Sequence, residues 1–236
     1  MLTEIPFCDW RLADFLSTTM EKTSSKRTGR CEIELPFFDV PERPLEISGP
    51  DVVEFLNRIF TRNSDKLKVG SGHYTLACTH QGLFMDGILF RLDDKKYWFV
   101  HPDGDLDTWF LAHKHNYNVS ISDPQSRVLQ LQGPKSLAVM NLATNGGVDH
   151  CMGYFKAGFF TIGEQSVFIS RTGWTGELGY EIYTLGQNTD YVRLWNELIT
   201  SGKKYGMVFS SMQAMNIRRI EAGILCLLYT SPSPRD

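Results

Sequence analysis

Residues 170–183 read SRTGWTGELGYEIY, with Gly173, Gly176 and Gly179 three positions apart and acids and aromatics among and just after them. The strand-like run Ser166–Ser170 precedes this stretch, and an alternating run, Tyr180–Tyr183, follows it. The segment therefore reads as two strands around a glycine-rich connection. Glycine at regular positions lets a backbone take positive φ and pass close to a flat ligand. The aromatics can stack on such a ligand, and the carboxylates can accept hydrogen bonds from an N–H-rich heterocycle. Spacing alone would fit any hairpin turn; the full string is far more specific.

Outward from this stretch the chain alternates short strands with amphipathic helices. Leu45–Ser48 is a strand ending at Gly49-Pro50, and Asp51 is placed to N-cap a helix with Val52, Phe55, Leu56, Ile59 and Phe60 on one face. His73–Thr79, Gly87–Leu92 and Lys96–His101 read as strands, Asp105–His115 as a second helix and Tyr117–Ser122 as a further strand. Residues 45–122 thus read β-α-β-β-α-β with one extra central strand, close to the ferredoxin-like arrangement. Beyond Asp123-Pro124-Gln125 come a strand, Arg127–Gln132, a helix opened by Gly133-Pro134, and a hairpin turning at Gly163-Glu164. Helices over Tyr191–Ser201 and Met212–Ile224 close the pattern, the last with no C-cap in view. Residues 1–35 read as a helix and a loop. The fold class is α+β, with mixed or antiparallel sheets.

Composition excludes several partners. Net charge is −3, from 24 basic and 27 acidic residues, and no basic block stands out, which argues against nucleic acid and anionic membrane. Lys66, Lys68, Lys95 and Lys96 read as solvated positions. Five scattered cysteines without a C-x-x-C pair, and no signal-peptide pattern at MLTEIPFCDW, suit a reducing compartment, the cytoplasm or a mitochondrial matrix. His113 and His115 lack a third ligand nearby, so no metal site is expected. Cys226–Asp236, CLLYTSPSPRD, breaks a helical pattern and matches a translated sequencing-adapter frame. It is expected to be a non-native tail, with the native frame running on past Leu225.

Residues 170–183 resemble the R-T-G-Y-T-G-E-x-G-[FY]-E signature of the glycine-cleavage T-protein (aminomethyltransferase) family. Three more motifs follow that family's order: FDVPERPLEISGPDVVEFLNRIFT, HYTLACTHQGLFMDGILFRL and LQLQGPKSLAVM; Met212–Leu225 resembles its A-R-D-x-L-R-x-E-A-G helix. The likeness spans about Phe38 to Leu225. It implies tetrahydrofolate as cosubstrate and a folate-cradling subdomain from residues 1–44 plus 123–225, packed on a ferredoxin-like subdomain, 45–122. A C-terminal barrel-like domain is expected to lie beyond the chain.

The resemblance also implies roles. Asp86 matches the second acid of the family's D-D, the carboxylate beside the folate nitrogen that receives the one-carbon unit; without the motif it would read as a residue opening a strand. Glu181 matches the glutamate facing the pterin's N–H edge, or is a polar residue on a strand's outer face. Trp174 replaces the usual tyrosine, as a stacking platform or a core aromatic. Tyr74 lines the folate pocket or is a cross-strand core tyrosine. Arg219 binds the glutamyl tail or makes a helix-surface salt bridge. Three departures stand out: PERPL at Pro41–Leu45, Met85 for the first acid of D-D, and Ala214-Met215-Asn216 for A-R-D. They lean toward the superfamily's demethylase branch. The donor is then an aminomethyl group on a lipoyl carrier protein or a small sulfonium or methylamine. Alternatives are a non-catalytic folate-binding module like the iron–sulfur assembly relatives, or the folate domain of a flavin oxidase.

Overall fold

A computed structural model describes residues 35–80, 82–101 and 106–224. The expected N-terminal helix and the adapter-like tail lie outside these residues. The strands are β1 (Pro36–Val40), β2 (Arg43–Ser48), β3 (Ser71–Thr79), β4 (Gly82–Asp93), β5 (Lys96–His101), β6 (Ser120–Ser122), β7 (Val128–Gln132), β8 (Ala157–Ile162), β9 (Gln165–Ser170), β10 (Gly179–Thr184) and β11 (Val208–Phe209). The helices are α1 (Val52–Ile59), α2 (Leu106–His113), α3 (Ser136–Ala143), α4 (Tyr191–Lys203) and α5 (Met212–Glu221).

Two sheets result, and the α+β class holds. One is five-stranded and antiparallel, in the order β3-β4-β5-β2-β6; the other is six-stranded and mixed, β11-β1-β7-β10-β9-β8, with β1 and β11 parallel. Side-chain alternation along each strand decides which residues face which layer. On one side, α1 and α2 pack Phe55, Leu56 and Phe110 against Leu89, Phe99 and Ile47 of the antiparallel sheet. On the other, α3 and α4 pack Val139, Leu194 and Leu198 against Leu129, Leu131, Tyr180 and Ile182. Between the sheets lies a third core with Phe38, Phe90, Trp98, Phe168 and Tyr183. Helices thus cover both outer faces of a two-sheet sandwich.

The sheets are also joined by main chain at one edge. Gly72 N donates to Phe155 O (2.8 Å) and Ala157 N to Gly70 O (3.0 Å), around an antiparallel bridge between Ser71 and Lys156.

Several expectations shift. Asp51 precedes α1, but its side chain makes no cap hydrogen bond there; Oδ2 instead accepts from Asn118 N (2.7 Å) and ties α1 to the segment entering β6. Strand β4 begins at Gly82 rather than Gly87 because a register shift opposite Ala77/Cys78 keeps it paired with β3. The final helix does have a C-cap. Gly223 takes φ +69, its N–H donates to Ile220 O (3.0 Å), and Ile224 N donates to Arg219 O (3.0 Å), a Schellman arrangement. The helical pattern therefore ends before Cys226. On α5, Met212 and Met215 pack into the inter-sheet core while Ile217 and Ile220 stand exposed.

Phe168 sits at the centre of the inter-sheet layer, 5.6 Å from Phe90, 5.4 Å from Trp98 and 5.8 Å from Tyr183, ring centre to ring centre. Phe168→Ala is expected to destabilise the chain by about 3–5 kcal/mol, read from urea unfolding; a loss below about 1 kcal/mol would mean the sheets do not pack through this ring.

Candidate functional site

The inner face of the six-stranded sheet is apolar at one end and polar at the other. In the register, Glu181 lies opposite Gln130 on β7 and Ser170 on β9, and Gly179 lies opposite Gln132. All four polar side chains are buried. The alternation that sends Leu129, Leu131 and Ile182 out to the helices sends these residues inward.

Glu181, 1% exposed, accepts from Gln130 Nε2 (3.0 Å) through Oε1, and from Thr172 Oγ1 (2.6 Å) and Tyr183 OH (2.5 Å) through Oε2, while the Ser170 hydroxyl donates to Thr172 Oγ1 (2.5 Å). A carboxylate offers about four acceptor positions, so Oε1 retains room for one more donor. Gln130 Nε2 also donates to Glu42 Oε2 (2.9 Å), and the Trp174 indole donates to Glu42 as well. Glu42, 5% exposed, lies in the connection between β1 and β2.

Two carboxyl groups therefore share one dry site. Burial raises the Glu42 carboxyl well above its usual range, the neighbouring Glu181 charge raises it further, and the bonds from Gln130 and Trp174 oppose the rise. Burial also raises Glu181, against the lowering effect of Thr172, Tyr183 and Ser170. With two hydroxyl donors and an amide on Glu181, against an amide and an indole on Glu42, the anion resides on Glu181 and the proton on Glu42. Burial, then the Glu181 charge, holds the Tyr183 phenol protonated, well above its ordinary value.

Across the sandwich, Tyr74 and Asp86 sit on neighbouring strands β3 and β4. Tyr74 OH donates to Asp86 Oδ2 (2.6 Å). Tyr74 is 46% exposed and Asp86 partly buried. Partial burial, then the bond to Asp86 and its charge, raise the Tyr74 phenol and keep it a donor. Asp86 Oδ1 makes no hydrogen bond among the described residues. Met85 points the other way, into the core under α1 and α2. An acid there would stand on the opposite face of β4, so Met85 takes no carboxylate away from the Asp86 side.

The remaining expected residues separate. Trp174 is half-buried, packed on the inter-sheet core, and holds Glu42. Arg219 on α5 is half-buried, and its Nε is buried with no partner, while its neighbour Arg218 pairs with Glu221 at 3.4 Å. The glycines act differently from the reading of a close ligand approach. A Cβ on Gly173 or Gly179 would stand 2.2 or 2.1 Å from the Gln132 amide, and only Gly176 of the three has positive φ, +71. Gly173 and Gly179 make room for Gln132, not for an external ring, and a Cβ on Gly176 would meet Ala222. Sequence reasoning missed Glu42, Gln130 and Gln132. The two glutamines carried a signal, polar residues at alternate positions of the apolar run VLQLQ; Glu42 carried none.

Fold and polar interior together define a two-sheet α+β sandwich with an acid pair buried inside and a tyrosine-anchored carboxylate at its margin. The chain belongs to the GCVT N-terminal domain family, whose model matches residues 7–229. It is 30% identical over 230 residues to an aminomethyltransferase of Symbiobacterium thermophilum, covering 92% of this chain and 60% of that protein. It is 29% identical over 238 residues to the aminomethyltransferase of Bacillus subtilis, covering 98% and 63%. The chain thus spans about 60% of the length of the curated relatives it matches. The glycine cleavage system aminomethyltransferase T of Bartonella henselae superposes with a TM-score of 0.72 at 26% identity, over 82% of this chain and 52% of that one. A chain of the heterotetrameric sarcosine oxidase of Corynebacterium sp. U-96 shares the fold, with a TM-score of 0.58 at 14% identity, over 89% of this chain and 100% of that one.

A carboxyl whose folded-state value is raised contributes stability that is complete below its unfolded value, about 4.3, and lost as pH rises toward the folded value. Glu42→Gln keeps the shape of the protonated acid and removes that loss. Between pH 5 and 8 the variant is expected to lose less stability than the parent in urea unfolding; equal slopes would refute the protonated assignment.

Proposed function

We propose that the chain is the folate-binding part of an enzyme that transfers a one-carbon group to tetrahydrofolate. The observation that carries this reading is the Tyr74–Asp86 pair. One carboxylate oxygen is fixed by a phenol at 2.6 Å, and the other is left for a ligand. A carboxylate so held can orient an amine nucleophile and stabilise positive charge as a C–N or C–S bond breaks. In this reading the folate amine attacks the donor carbon, and the protein supplies position and electrostatics without a covalent intermediate.

Glu181 and Arg219 fit the recognition of the rest of the cosubstrate. Glu181 has an acceptor position left on Oε1, suited to an N–H donor, and protonated Glu42 beside it adds no second negative charge. Arg219 offers a buried Nε–H that nothing in the described chain uses, suited to a carboxylate. Trp174, by holding Glu42, acts as a positioning residue. The donor is an aminomethyl group on a lipoyl arm, delivered by a carrier protein with release of ammonia. The relatives' names, aminomethyltransferase, support this choice over a sulfonium or methylamine. Met85 in the core supports it as well, since its departure from the family's D-D leaves the Asp86 side unchanged.

Calorimetry with tetrahydrofolate on the 236-residue chain tests the reading. Binding is expected, weakened roughly tenfold or more in Arg219→Ala and in Glu181→Gln, with Asp86→Asn much less affected because its role lies in the transfer. Arg219 has no partner at Nε to lose, so its variant folds. Absence of binding to the parent chain, or undiminished binding in Arg219→Ala, would overturn the assignment.

A further inference from the structure

The loop from α1 to β3 carries Lys66 and Lys68, which the sequence presents as solvated positions. In the fold they line, with Arg62, Asn63, Ser71 and His73, a cavity of about 360 Å3 beside the outer edge of β3. The loop is built rather than loose. Asn63 Oδ1 accepts from Asp65 N (2.8 Å) to open a short 3-10 turn, Ser64–Lys66. Leu67 O accepts from Arg91 Nη1 (2.9 Å), and Lys68 O accepts from Ser71 N (3.1 Å) around Gly70 at φ +72. The loop's own carboxylate, Asp65, is held by Asn57 Nδ2 (3.1 Å) and does not line the cavity.

The positive groups have no counter-charge. Among the described residues, none of Arg62, Lys66, Lys68 and Lys156 makes an ion pair. Arg62 Nη1 donates to Tyr74 O (3.2 Å), which fixes the guanidinium and leaves its other N–H groups without a partner in the described chain. Lys156 Nζ donates to Ser71 Oγ (2.8 Å) and brings a fourth cation to the rim. His73 is buried, and its Nε2 has no partner. Burial, then the Arg62 charge, lowers this imidazole to about 4, so it is neutral at physiological pH. Cations that line one cavity repel one another, and a multivalent anion relieves that repulsion while accepting several charge-assisted hydrogen bonds.

We infer that this cavity is a binding site for a multiply charged oxyanion, a phosphate or a cluster of carboxylates, distinct from the acid-lined interior of the sandwich. The inference does not depend on the folate reading, because it rests on different residues and a different test.

The test is an amide and imidazole NMR titration of the full chain with inorganic phosphate and, separately, with a triglutamate peptide, each against sodium chloride at matched ionic strength. At least one probe is expected to saturate, with shifts centred on Arg62, Ser71, Gly72 and His73, and the tighter probe identifies the ligand as phosphate- or carboxylate-bearing. Lys66→Ser/Lys68→Ser is expected to weaken binding at least tenfold. Neither lysine holds up the loop, so this variant folds. Lys95→Ser, on the β4–β5 turn, leaves binding unchanged. Shifts that never saturate, that spread equally to Lys95, Lys203 and Lys204, or that survive the double substitution within twofold would overturn the site.

Discussion

The amide of Gln130 is the interaction on which the interior depends. Its two N–H bonds go to two buried carboxyl groups, Glu42 at 2.9 Å and Glu181 at 3.0 Å. Its oxygen accepts from Gln132 Nε2 (3.4 Å), whose own oxygen accepts from Thr175 Oγ1 (3.0 Å). A half-satisfied polar network inside a sandwich costs more than an apolar core would. Each amide here has one orientation that serves its neighbours, and the chain is complete only with every member in place. The glycine spacing follows from it. Gly173 and Gly179 are bare because the Gln132 amide occupies the space where their Cβ atoms would be.

The proton on Glu42 belongs to the same arrangement. Two carboxylates this close in a dry interior cannot both be ionised. The three donors on Glu181 decide which one is, and the outcome is a site holding one negative charge rather than two. Tyr183, held protonated, can then donate to Glu181 while its ring packs against Phe90, Trp98 and Phe168. Polar and apolar ends of the inner face thus meet in a single side chain.

Much of the fold, though little of this network, was legible in the sequence, for physical reasons that differ by element. Periodicity gave α1, β5, β7 and the Gly163-Glu164 hairpin, where both turn residues have positive φ, +55 and +67, as a tight two-residue connection requires. Motif resemblance singled out Tyr74 and Asp86 as candidates; they lie 12 residues apart and meet only because β3 and β4 pair. The Asp51 cap was misread because an N-cap residue and a loop tie use the same side chain, and only the distant Asn118 decides between them. Gly223 was overlooked as a helix stop because a helix followed by an odd tail hides its own end. Glu42 was illegible for a deeper reason. A lone acid between two prolines looks solvated, and what buries it, Gln130 and Trp174, lies 88 and 132 positions away in the chain.

The seam between the sheets has a consequence for how this molecule behaves among its copies. β3 is an outermost strand, and an outermost strand normally offers a row of unpaired main-chain groups to any other extended chain. Here Gly70 O and Gly72 N are taken by Ala157 and Phe155, Tyr74 O by Arg62, and Leu76 O by Thr61 N at 2.9 Å, while Ala77 bridges to Phe60. At these points the border is closed by the protein's own backbone and one arginine. Intermolecular strand addition would first have to unzip that closure, so at this border the fold guards against stacking into larger assemblies.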